Sequence, residues 1–215
     1  MKTTSNILLA LFAAATLGSL SASASAEGVY MQVDGGVAIT PDVGVKLNTH
    51  TNLGTISGRL KTKTGYDFNY VLGYRTAESI ALELETGYQE NSFSAVSGYG
   101  AQLAVTGSAS AVPVLLNFVW TPKLSESLSA TFGAGAGASV ITADIGLPGV
   151  GSLPSDTKVV FGGQAKTGLS YKISETVSAD LTYRLRVSQG PNFSSGIEAS
   201  KITSHLVTAG LSIKF

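Results

Sequence analysis

Residues 65–89 read GYDFNYVLGYRTAESIALELETGYQ, and the order of side chains in this stretch decides the fold. Tyr66, Phe68, Tyr70, Leu72 and Tyr74 occupy alternate positions, as do Ile80, Leu82, Leu84, Thr86 and Tyr88. Between the two runs lies Thr76-Ala77-Glu78-Ser79. A period of two is the signature of a strand with two unlike faces, and a short polar connection between two such runs makes an antiparallel hairpin. The other phase of the hairpin carries Asp67, Arg75, Glu83 and Glu85. One face is therefore apolar and the other polar.

Working outward, the alternation recurs over 29–39, 112–120, 128–140, 159–171, 177–187 and 203–215, giving eight strands. The eight apolar phases contain no Asp, Glu, Lys or Arg. The opposite phases hold Asp34, Asp67, Arg75, Glu83, Glu85, Lys166, Asp180, Arg184, Arg186 and Lys214. A soluble β-sandwich also alternates, with its apolar face inward. Its outer surface would be rich in charge, however, whereas only 13% of this chain is charged. The polar phase is instead full of Gly, Ser, Thr and Ala, which suit a crowded lumen. Connections alternate too: Thr76–Ser79, Thr121–Ser127 and Lys172–Thr176 are short, while Pro41–Gly65, Gln89–Val105, Thr142–Lys158 and Ser188–Lys201 are long. Short periplasmic turns and long extracellular loops are the pattern of outer membrane barrels. Tyr74, Trp120, Tyr171 and Phe215 end the even-numbered strands as a periplasmic aromatic girdle, and Tyr66, Tyr88 and Phe161 fall near the other interface. The sequence predicts an all-β fold, an eight-stranded antiparallel transmembrane up-and-down β-barrel over 27–215. In hydrocarbon no backbone group can stay unpaired, so the last strand must close on the first. Pro113 lacks an N–H and is placed at a bulge in the fourth strand.

The N-terminus reads as an address. Met1-Lys2 precedes the apolar stretch Ile7 to Leu20, and Ala24-Ser25-Ala26 forms an A-x-A cleavage site. Residues 1–26 match a secretory signal peptide, and the apolar stretch is shorter than the roughly 20 residues of a spanning helix. Without Cys there is no lipobox, disulfide or thiolate metal site, and two His exclude a His-rich one, so neither metal nor cofactor is expected. Fourteen Lys+Arg balance fourteen Asp+Glu, which argues against a nucleic-acid binder.

Four segments carry a family resemblance: 65–89, AVPVLLNFVW (111–120), GGQAKTGLSYKISETVSADLTYRLR (162–186) and LVTAGLSIKF (206–215). They resemble the OmpA-like and opacity-type eight-stranded outer membrane β-barrel family. The resemblance implies the outer membrane of a Gram-negative bacterium, with lipids and lipopolysaccharide around the wall. Phe215, with Val207, Ala209, Leu211 and Ile213 on the same face, resembles the signature read by the barrel-assembly machinery. The chain stops at that Phe, so the periplasmic peptidoglycan-binding domain of longer members is not expected.

The inward charges are five acids (Asp34, Asp67, Glu83, Glu85, Asp180) and four bases (Arg75, Lys166, Arg184, Arg186), with Lys214 at the rim. Unpaired buried charge is costly, so they should pair across the lumen: Glu83 and Glu85 with Arg184 and Arg186, Asp180 with Lys166. Two readings follow, a salt-bridge plug or a narrow porin-like path for ions or small solutes. A glycosidase pair at Glu83 and Glu85 fails because no sugar enters an eight-stranded interior. His205 points to lipid near the outer end, either as an interfacial side chain or in an outer-leaflet lipid-modifying enzyme resembling the eight-stranded lipid A deacylases. Ser204 faces the other way, and position 207 is Val where that family has Ser. His50 lies in the first long loop. Gly133, Gly135 and Gly137 sit within a strand, where they make room for lumen side chains rather than cradle a nucleotide. Lys46, Arg59, Lys61 and Lys63 give the first loop a basic bias, which either is solvated, bridges lipopolysaccharide phosphates or meets a surface ligand. The overall expectation is a non-catalytic barrel with a structural or surface-interaction role, displaying four extracellular loops.

Overall fold

A computed structural model describes residues 28–48, 55–98, 101–147, 151–152, 155–193 and 196–215. The expected signal peptide, 1–26, and His50 lie outside the described residues. Among the described residues thirteen strands follow in chain order: β1 (Val29–Ile39), β2 (Val43–Asn48), β3 (Thr55–Thr62), β4 (Gly65–Ala77), β5 (Ile80–Gly98), β6 (Ala101–Ala104), β7 (Thr106–Trp120), β8 (Leu128–Leu147), β9 (Gly151–Ser152), β10 (Asp156–Lys172), β11 (Val177–Ser188), β12 (Ile197–Ala199) and β13 (Ile202–Lys214).

Eight of them form a closed antiparallel ring in the order β1, β4, β5, β7, β8, β10, β11, β13. β13 returns to β1 with Val33 opposite Leu211 and Val37 opposite Val207. Closure leaves the ring no free edge, which a sheet in hydrocarbon requires. Val33, Leu72, Leu84, Leu116, Phe132 and Leu181 stand exposed on the outside. At the short-turn end Tyr74, Trp120, Tyr171 and Phe215 are likewise exposed, and Trp120 stacks on Phe132 with ring centroids 5.7 Å apart.

Two of the short turns are built alike because their sequences are alike, Lys123-Leu124-Ser125-Glu126-Ser127-Leu128 and Lys172-Ile173-Ser174-Glu175-Thr176-Val177. The amides of Leu124 and Ser125 donate to the Leu128 carbonyl (2.8 and 3.0 Å), and those of Ile173 and Ser174 to the Val177 carbonyl (2.9 and 3.0 Å). In each, the serine hydroxyl oxygen accepts from the amide three residues on, at 3.1 Å for Leu128 and 3.0 Å for Val177. This is a serine turn, in which a side chain replaces a backbone acceptor.

The long connections differ from expectation. β5 runs on to Gly98, β7 starts at Thr106, β8 reaches Leu147 and β10 starts at Asp156. β2, β3 and β12 add a second sheet in the order β12, β2, β3, β5. The supposed loops are thus largely a β-crown that extends the wall. Within the crown Leu60, Phe93 and Val105 are buried, with Val45, Val96, Ala109 and Ile145 packed against them.

The crown escaped the alternation test because the polarity of the two faces swaps along the strands. On β5 the inward side chains change from Glu83 and Glu85 to Phe93 and Ala95, all buried. The outward ones change from Leu82 and Leu84 to Glu90 and Ser92. On β8 the outward Val140 is followed by Thr142 and Asp144, while Ile141 faces in and is buried. The swap follows one row across the wall, in which Tyr66 pairs with Glu90, Glu90 with Ser110, Ser110 with Thr142 and Thr142 with Thr157.

The expected bulge at Pro113 is not there. Pairing toward β5 has the same register on both sides, Thr86 opposite Val114 and Gln89 opposite Ala111, with two pairs missing between. Pro113 keeps its place opposite Ser139 on β8. The missing N–H removes a ladder bond without adding a residue, and the Thr86 hydroxyl donates to the Pro113 carbonyl at 2.9 Å.

Candidate functional site

Period-two geometry sends every second side chain of the ring into the lumen, and the charges meet at mid-height. Arg184 on β11 is fully buried and grips Asp34 of β1 with both terminal nitrogens, at 2.7 and 3.0 Å. Its Nη1 also donates to Thr208 Oγ1 at 2.6 Å, and its Nε lies 3.3 Å from Glu85 Oε1. Arg186 reaches Glu85 at 3.2 Å and Asp67 at 3.4 Å. Lys166 of β10 pairs with Glu83 and lies 3.8 Å from Glu85. Glu85 is the hub, because Asn117 and Gln164 also donate to its Oε2 at 3.0 and 2.7 Å. Asn69 donates to Asp34 at 3.0 Å and to Asp67. Tyr30 donates to Glu83 at 2.5 Å.

Such a layer needs space, and glycine supplies it. A Cβ on Gly135 would collide with the Asn117 amide that serves Glu85, and one on Gly73 with the Tyr30 ring. A second, uncharged layer lies above the first. Gln89 donates to Ser204 at 3.0 Å, to Asn91 at 2.9 Å and to Thr40 at 3.2 Å. Attention to charged residues alone misses this layer; its signal in the sequence is the inward phase of Gln89, Asn91 and Ser204.

Three expected placements change. Glu83 meets Lys166 rather than an arginine. Lys166 therefore does not face Asp180, whose Oδ2 has no partner among the described residues; Asp180 pairs in register with Ser170, farther toward the short turns. Arg75 stands outside the charged layer, half-buried at the short-turn mouth with its guanidinium 5.2 Å from the Tyr30 ring centre. In each case the side chain's height along its strand decides its partner, and phase alone does not give height.

Below the layer a vestibule of about 870 Å³ opens toward the short turns, walled by Tyr30, Glu83, Arg75, Lys123, Lys172 and Asp180 among others. Above it a pocket of about 70 Å³ is lined by Gln89, Asn91, Arg186 and Ser204 with residues of the crown.

On the outside, His205 is half-buried and its Nδ1 lies 2.8 Å from the Tyr183 hydroxyl. Glu90 receives hydrogen bonds from Tyr66 at 3.1 Å and Tyr88 at 2.5 Å. Lys46, Arg59 and Lys63 are exposed, and Lys61 half-buried, on and beside β2 and β3. Val207, Leu211, Ile213 and Phe215 stand outward on and just after β13, with Ala209 between them. No group of three potential metal ligands occurs among the described residues.

Residues 10–215 match the family model described as the outer membrane protein beta-barrel domain. No curated protein sequence matches significantly. Among solved structures the chain is similar to Neisserial surface protein A (NspA) of Neisseria at 18% identity, covering 88% of this chain and 98% of that one with a TM-score of 0.53. It is also similar to the outer membrane protease OmpT of Escherichia coli at 8% identity, covering 91% and 99% with a TM-score of 0.51. At these identities the likeness is one of fold, and a surface protein and a protease share it.

Proposed function

The chain belongs to the outer membrane β-barrel family, and on that premise we propose that it is a plugged, non-catalytic barrel whose role is to hold the β-crown at the cell surface for structural or surface-interaction purposes. The observation that carries this reading is Glu85, fully buried and within 3.8 Å of Lys166, Arg184 and Arg186. A buried charge keeps its place only when paired and hydrogen-bonded, and a lumen so filled has no continuous water column. The exposed Arg59 and Lys63 suit contact with lipopolysaccharide phosphates or an anionic surface ligand. In the same reading residues 1–26 are a cleaved signal peptide, and Val207 to Phe215 guide insertion by the barrel-assembly machinery.

A second reading, a narrow porin-like channel, is favoured by one feature. Cavities lie on both sides of the charged layer, so that layer alone separates them. Planar-bilayer recording of the purified, refolded protein decides between the two. The plug gives no steady openings in the wild type and measurable ones in Glu85→Gln; steady, ion-selective openings of the wild type overturn it. Lipid A incubated with the protein should keep all its acyl chains, and loss of a chain that His205→Ala abolishes would make the protein an enzyme.

A further inference from the structure

Outside the lumen, the lipid-facing wall is notched between β10 and β11. A groove of about 670 Å³ passes Phe161, Gly163, Ala165, Leu185 and Val187 and ends at a rim that includes Lys201. The notch follows from the sequence. Gly163 lies beside Val187 on one side and Ala136 on the other, and Ala165 beside Leu185 and Ala134. A wall position without a side chain, flanked by methyl groups, leaves a trough bounded by the ring of Phe161.

Position fixes what fills it. Phe161 to Ala165 lie toward the crown end of β10, and Lys201 immediately precedes β13 at that same end, so the groove opens into the outer leaflet. An unfilled trough there forfeits dispersion contacts that a hydrocarbon chain supplies. Lys201 is exposed, and a cation at the top of an acyl-chain groove complements a phosphate at headgroup depth. We propose that this groove is a binding site for one acyl chain of a lipid A-type phosphoglycolipid, with a phosphate held by Lys201. The site is independent of whether the lumen conducts.

Native mass spectrometry of protein extracted from intact outer membranes in mild detergent tests this. One adduct with the mass of lipid A or its lipopolysaccharide should persist in the wild type and in Lys201→Arg. Ala165→Trp, which fills the trough without new backbone contact at Gly163, should remove it. Heat-modifiable gel mobility shows that each variant is still a folded barrel. Lipid-free refolded protein, titrated with diphosphoryl lipid A, should lose affinity by at least about fivefold in Lys201→Glu, since fivefold is the effect of losing one basic residue at a membrane surface and the glutamate adds repulsion. Dephosphorylated lipid A should bind the wild type about fivefold more weakly than the diphosphoryl form. A phospholipid adduct in place of lipid A, no adduct at all, or equal affinity in Lys201→Glu would each overturn the proposal.

Discussion

The barrel interior and the crown share strands but are cored by opposite chemistries. Where the wall faces hydrocarbon, β5 turns Glu83 and Glu85 inward and Leu82 and Leu84 outward; farther along, it turns Phe93 and Ala95 inward and Ser92 outward. The β-ladder itself is indifferent to this. The solvent on the far side of the wall decides which side chains go in, and the row through Glu90, Ser110, Thr142 and Thr157 marks where that solvent changes. Below the row inward side chains are satisfied by charge pairing and hydrogen bonds, and above it largely by exclusion from water.

The contrast can be broken most severely at Arg184. Arg184→Leu leaves Asp34 without a cationic partner and takes one of three from Glu85, and removing one partner of a buried pair costs about 3–5 kcal/mol. The urea midpoint of the refolded protein should fall accordingly, and Asp34→Leu in the same molecule should restore part of it. Phe93→Ala should cost the crown about 3 kcal/mol, yet as a local loss. Amide exchange should quicken on β3 and the distal part of β5, with the barrel's midpoint unchanged; a matching drop in that midpoint would mean the two cores are one cooperative unit. The outward face sharpens the boundary. Leu84→Arg should cost about 2–4 kcal/mol if it faces mid-membrane, whereas Ser92→Arg, on the same strand and face, should stay within about 0.5 kcal/mol. The smallest effect belongs to the short turns, where Ser125→Ala or Ser174→Ala removes one hydroxyl acceptor and about 1 kcal/mol.

The eight-stranded ring was legible in the sequence because a lipid-facing strand declares itself by an unbroken apolar phase, as in Leu82-Leu84 or Leu116-Phe118-Trp120. The crown was not, because its phase reverses: Phe93 and Ile141 sit on the face that Glu85 and Ser139 occupy lower down, and a search for one continuous apolar face stops there. In the lumen, phase told which charges point inward but not how high each stands. Glu83 could not be assigned to Lys166, nor Asp180 set apart from it, without the stagger between neighbouring strands. Pro113 misled for a related reason, since a lost donor need not add a residue to a strand.

The chain has no cysteine, so single-cysteine spin labels placed one at a time from Leu82 to Ala95 in lipid nanodiscs test the polarity reversal directly. Labels at Leu82 and Leu84 should relax with oxygen dissolved in lipid, the label at Ser92 with an aqueous nickel chelate, and labels at Phe93 and Ala95 with neither. A label at Ser92 that responds to lipid oxygen, or one at Leu84 that responds to aqueous nickel, would contradict a wall whose inside and outside exchange character at Glu90.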